Sequence, residues 1–195
     1  MLLDAFVRAR TGGAMPMDRG GALAAAGRVD AGVLAAMLSD PYFAQPPPKS
    51  TGRERFGDQF LAAHQSALAN LTLEDGLATL AELTAATLTD AVRARGFSPA
   101  SAFVAGGGTR NRHVMGRIAA RLSPLRVETT DAMGIPAEAK EAIGFAVLGY
   151  ETLRGRASNV PRATGAARAV PLGAIAPYRL HELLAEVERE CAASP

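Results

Sequence analysis

The chain has 195 residues, 48% of them apolar, a formal net charge of +2, one cysteine and no tryptophan. That length holds one domain, or one domain with an appendage, and the composition excludes disorder of the whole chain. Apart from Lys49 and Lys140 every basic residue is Arg, scattered among acidic residues with 5% aromatics, which excludes the basic stripe of a nucleic-acid binder; the lone Cys191 excludes an internal disulfide.

Residues 2–10 read as a helix with Leu2, Leu3, Phe6 and Val7 on one stripe, stopped by Thr11-Gly12-Gly13. The N-terminus has no basic start before an uninterrupted apolar stretch, so a signal peptide is not expected. Residues 21–38 are Ala-rich and helix-prone, interrupted near Gly27 and ended by Asp40-Pro41. Pro46 to Arg53 read as a stiff, extended surface connection. Thr72 with Asp75 resembles a capping box, followed by a long helix to about Arg95 and stopped by Gly96. Leu73, Leu77, Leu80, Thr84, Thr87, Leu88 and Ala91 recur on it at helical spacing.

Residues 101–105 read as a short buried strand, followed by Gly106-Gly107-Gly108 and a second helix. The stripe of that helix is Val114, Met115, Ile118, Ala119 and Leu122. Residues 125–129 read as another strand. A third helix is expected from Pro136 to about Leu153, apolar on two faces and therefore buried on most sides. Residues 170–175 are expected to form a last strand, with Pro171 placing it at an edge or at a strand start. Residues 178–191 read as an amphipathic helix. No apolar run reaches the length of a membrane span, and no Cys/His spacing resembles a metal site. A reducing, cytoplasmic setting follows as the expectation.

The strongest chemical signal is strand, Gly106-Gly107-Gly108-Thr109-Arg110-Asn111, helix. Glycines allow positive φ and a close ligand, and the next helix starts with free N–H groups. The spacing is neither a Walker loop nor a dinucleotide fingerprint. A tight turn and a nucleotide loop fit it equally. Glu141 lies in the first two turns of the apolar third helix, where a carboxylate needs an intramolecular partner or a ligand hydroxyl. Thr129-Thr130-Asp131 closes the second strand, well placed for a ligand but ordinary for a turn. His113 reads as structural.

The blocks Val104 to Asn111, Val127 to Ile135 and Lys140 to Ala146 closely resemble the anhydro-N-acetylmuramic acid kinases. So do Pro48 to Glu54, Asn159-Val160-Pro161 with Thr164-Gly165-Ala166, and Leu172 to Ile175. The resemblance covers residues 1–177 and leaves 178–195 as a helical extension. It implies an α/β fold: a helix-rich, incomplete ribonuclease-H-like lobe of the actin-like ATPases, with few strands. It implies ATP and Mg²⁺ as cofactors and an anhydro amino sugar as substrate. The product would be N-acetylmuramic acid 6-phosphate, formed by phosphorylation with hydrolytic opening of the anhydro bridge, in cell-wall recycling. Gly106, Gly107 and Gly108 would form the adenosine-side loop with Asn111 nearby, and Glu141 would face the sugar. The family pairs as homodimers, and neither nucleic acid nor membrane is an expected partner. The family's general-base Asp would lie upstream of Met1, so no catalytic residue is assigned and the isolated chain is expected to be inactive. Two other readings stand beside this one: a non-catalytic nucleotide-binding or oligomerisation module, and a helical scaffold without a ligand.

Overall fold

The computed structural model describes residues 1–94, 100–176 and 178–193. The expected stop at Gly96, and Arg95 before it, lie outside the described residues. The chain divides into two compact units, residues 1–46 with 51–138, and residues 47–50 with 139–195.

The first unit is built around one helix. Helices α1 (Leu2–Arg10), α2 (Ala22–Ala26), α3 (Ala31–Leu38), α4 (Pro41–Ala44), α5 (Asp58–Ala63) and α6 (Gln65–Ala69) precede α7 (Leu73–Arg93). The Thr72 hydroxyl caps α7 by accepting from the Asp75 N–H at 3.0 Å. Half of the expected capping box is therefore present. The Asp75 carboxylate instead accepts the Arg28 N–H at 2.7 Å, which ties the loop after α2 to the start of α7. Helices α1, α2, α3 and α8 (Arg112–Leu122) pack around α7.

The buried face of α7 is wider than the stripe in its sequence. Every residue from Gly76 to Leu83 is buried, and Leu77, Leu80, Thr79 and Thr89 are almost wholly so. Leu88 and Ala91, expected in the core, are exposed. Threonine is tolerated because its hydroxyl proton finds a local carbonyl: Thr79 donates to Asp75 O at 2.7 Å and Thr89 to Ala86 O at 3.1 Å.

Two parallel strands complete the unit. β1 (Ser101–Val104) and β2 (Arg126–Thr129) pair in register from Ser101 with Arg126 to Val104 with Thr129, joined by α8 as the crossover. Val114, Ile118 and Leu122 recur at four-residue spacing and are buried. Ala119 faces solvent. β1 is less buried than its sequence suggests, with Phe103 40% exposed. The short helices α5 and α6 carry no strong sequence signal, yet their Phe60 and Leu68 reach the core.

The second unit contains α9 (Lys140–Leu153), α10 (Pro161–Thr164) and α11 (Leu180–Ala193). It corrects two expectations. α9 begins four residues after Pro136, and no residue of it is buried; Phe145 is 74% exposed. Apolar composition asks for a covering layer, and the described elements of this unit supply none. Residues 170–175 are not a strand. Pro171 has no N–H to give, and among the described residues of this unit there is no partner strand. A side chain organises the segment instead. Asn159 accepts the Val170 N–H at 2.7 Å and donates to Arg168 O at 3.0 Å, while Ser158 N–H donates to Val170 O at 3.3 Å. No single described helix is long and apolar enough to cross a membrane.

Candidate functional site

The C-terminal ends of the two parallel strands lie side by side, the usual ligand position in such sheets. β1 runs directly into the glycine bend. Gly106 turns the chain with φ of 95°, a region open to glycine and strained for other residues. Its N–H donates to Ala137 O at 2.7 Å, which ties the bend to the segment after β2. Its carbonyl accepts from the Thr109 hydroxyl at 2.8 Å and the Thr109 N–H at 3.1 Å. Gly107 and Gly108 then open a 3-10 turn ending at Arg110.

A Cβ built on Gly106, Gly107 or Gly108 would meet nothing within 4 Å. The bend faces open space, and tight packing does not explain its lack of side chains. Among the described residues nothing accepts the Gly107 or Gly108 N–H. An approaching ligand would find bare backbone with donors available.

Asn111 has a role that its sequence position could have signalled. It is the N-cap of α8, its side-chain oxygen accepting from Val114 N–H at 3.0 Å. Gly21, which the sequence reading passed over, holds Asn111 from behind. It has φ of 78°, and a Cβ there would sit 2.1 Å from Asn111 Oδ1 and 2.9 Å from His113 Cβ. The Gly20-Gly21 doublet was the available signal. Gly21→Ala is expected to cost about 2 kcal/mol through backbone strain and overpacking. A Tm lowered by roughly 5 °C would register it, and an unchanged Tm would refute the contact. His113 Nε2 is buried with no hydrogen-bond partner among the described residues.

Between the strand ends lies an open recess of about 410 Å³, with Thr109, Arg110, Thr129, Asp131, Ala137 and Glu138 in its lining. The Asp131 carboxyl is held below the usual carboxylate range, chiefly by a hydrogen bond from the Thr129 side chain and then by the Ala137 N–H at 3.3 Å. Arg110 reaches Glu138 in a two-pronged pair, Nε to Oε1 and Nη2 to Oε2, which raises the guanidinium pKa further. Thr130, between Thr129 and Asp131, has a buried hydroxyl with no partner among the described residues.

Glu141 belongs to the second unit. It lies in the first turn of α9, exposed, with no hydrogen bond or ion pair among the described residues. The desolvation expected for a carboxylate on an apolar helix does not arise, because water reaches this face of α9.

The family model described as anhydro-N-acetylmuramic acid kinase matches residues 1–178, from α1 through the glycine bend, the recess and Glu141. The chain belongs to the anhydro-N-acetylmuramic acid kinase family. An anhydro-N-acetylmuramic acid kinase of Streptomyces coelicolor is 48% identical over 178 residues, 91% of this chain and 45% of that protein. One from Xanthomonas oryzae pv. oryzae is 49% identical over 177 residues, 90% of this chain and 46% of its own length. One from Streptomyces avermitilis is 42% identical over 178 residues. The chain thus spans about half the length of the curated relatives it matches. Helix α11 lies beyond the part that matches the kinase family.

The open glycine bend leaves room for a nucleotide, since no Cβ crowds it and nothing among the described residues accepts the Gly107 or Gly108 N–H. Magnesium finds less. Among the described residues no three His, Cys, Asp or Glu side chains gather to hold an ion. An ion carried by phosphates needs only one or two protein carboxylates.

Proposed function

We propose that this chain carries the nucleotide-binding side of an ATP-dependent kinase for 1,6-anhydro-N-acetylmuramic acid. The observation that supports it most is the Gly106–Gly108 bend, open to solvent at the end of β1, in a chain of this kinase family. In this reading residues 1–177 form part of an actin-like ATPase lobe and 178–195 an appended helix. Gly107 and Gly108 present backbone N–H groups to the nucleotide, and Asn111 keeps the start of α8 in place beside them. Glu141, solvated in the first turn of α9, accepts hydrogen bonds from the sugar hydroxyls. In the overall reaction a water oxygen bonds to the anomeric carbon and the bond from that carbon to the bridge oxygen breaks. The bridge oxygen takes the γ-phosphoryl group, giving N-acetylmuramic acid 6-phosphate and ADP. Magnesium supplies charge neutralisation at the phosphates. No residue of this chain is assigned as the base that takes the water proton. The setting is cytoplasmic recycling of cell wall, by a protein that pairs with a second copy.

Calorimetric titration of the 195-residue chain with ADP and magnesium tests the nucleotide half of this proposal. One saturable site is expected, weakened when AMP replaces ADP. A flat titration would overturn it.

A further inference from the structure

The polar lining of the strand-end recess has one chemical bias. The Thr109 hydroxyl has given its proton to Gly106 O, which leaves lone pairs only. Thr129 lines the recess beside Asp131. The Asp131 carboxylate accepts and cannot donate. The Ala137 N–H already points at Asp131, and its carbonyl is taken by Gly106. Arg110 is the cation of the lining, and two of its donor directions are occupied by Glu138. Apart from the donors left on Arg110, the polar groups of the recess offer acceptors and seek donors. Of its three charged groups two are negative, with no lysine among them.

A phosphate is the wrong occupant for such a place. It is itself acceptor-only, needs N–H or O–H donors, and is repelled by a nearby carboxylate. A sugar with adjacent hydroxyls is the right one. It is uncharged and brings the donors that Asp131 and Thr109 lack, and its ring fits a shallow cleft. The open N–H groups of Gly107 and Gly108, on the same bend, remain for the more electron-rich part of the ligand.

We propose that this recess is the ribose subsite of the nucleotide, with Asp131 accepting a hydrogen bond from a ribose hydroxyl and setting the preference for ribonucleotides over deoxyribonucleotides. The assignment rests on the nucleotide-binding reading above. Asp131 is the specificity-determining residue in it, and the phosphates lie outside the recess. A site built to bond a hydroxyl rejects an analogue without it far more strongly than an apolar pocket would.

The test uses the 195-residue chain and calorimetric affinities for ADP, 2′-deoxy-ADP, 2′,3′-dideoxy-ADP and AMP. The wild type is expected to prefer ADP over the dideoxy analogue by at least about tenfold, one good hydrogen bond to a charged acceptor. Asp131→Ala should lose that preference while the ratio of ADP to AMP affinity stays as in the wild type. Asp131→Asn, which keeps an acceptor oxygen for the Ala137 N–H and so protects the fold, should keep an intermediate preference. Equal binding of ADP and the dideoxy analogue by the wild type would overturn the assignment. So would an Asp131→Ala variant that binds ADP more tightly with its ribose preference intact, since that would put phosphates beside the carboxylate. A wild type that binds no ADP at all would sink the nucleotide reading together with this one; binding of ADP with no discrimination would sink the ribose subsite alone.

Discussion

Replacing Glu82 with Ala is expected to destabilise the protein by about 3 kcal/mol, a large part of the total for a domain of this size. Glu82 sits on α7 facing α8, 5% exposed. It accepts from Arg117 Nε at 2.5 Å and from Arg121 Nη1 at 2.9 Å. Arg121 is further held by the Thr89 hydroxyl at 3.0 Å. Removing the carboxylate leaves two guanidinium groups without their shared partner at the main helix contact of the first unit. Arg117 is 42% exposed and can turn to water, which keeps the expected loss near the low end for a broken buried pair.

The pH dependence follows the same group. Burial pushes the Glu82 carboxyl up, but hydrogen bonds and charge from Arg117 and Arg121 outweigh it and hold the pKa below the ordinary 4.5. A depressed folded value means the contribution is complete above about pH 4.5 and is lost as pH falls through the folded pKa. Urea unfolding of wild type and Glu82→Gln at neutral pH and below pH 4 measures both effects. The gap between the two proteins should shrink on the acid side. A gap independent of pH would show that the charge of Glu82 contributes nothing.

The second large effect concerns ligand and not fold. Gly108→Leu is expected to weaken ADP binding on the order of 100-fold, since a side chain would fill the space that the nucleotide needs. Its stability should be unchanged or slightly raised. Gly107 and Gly108 do not use positive φ, and a Cβ on either meets no neighbour. Replacing glycine under those conditions reduces the freedom of the unfolded chain. Gly106 differs: at φ of 95° even Ala brings strain, so Gly106→Ala should lower Tm as well as affinity. Adjacent glycines would thus separate a folding role from the proposed binding role. A Gly108→Leu protein that binds ADP normally would remove the bend from the nucleotide site.

Much of the local structure was legible because its causes are local. The Thr72 cap, the breaks at Gly12-Gly13 and Gly27, the glycine bend and the four-residue recurrence in α8 are each decided within a few residues. The errors came from questions that only packing answers. α9 and α7 show this best. Both are rich in apolar and small residues, yet α7 is enclosed and α9 is exposed, because burial depends on what lies alongside. The stripe on α7 understated its burial, since Thr79 and Glu82 look polar until a carbonyl or two arginines satisfy them. The 170–175 segment had strand composition but, among the described residues, no neighbouring strand to pair with. At the site, the sequence located the bend and undervalued Asp131, whose acceptor role emerges once Ala137 and Thr129 are seen around it. Gly21 was missed because its constraint comes from Asn111, far along the chain.

The Asn159 arrangement sets a rhythm for the second unit. The Asn159 amide holds Arg168 and Val170, Ser158 N–H holds Val170 O, and the Thr152 hydroxyl holds Leu172 O, so the loop can open by breaking a few local bonds, with no helix unwound. The amide proton of Val170 should then trade with solvent deuterium at the pace of that local opening. Those in the middle of α7, enclosed by four helices, would trade only when the whole first unit comes apart. The molecule would carry two clocks, one set by a few local bonds and the other by a core.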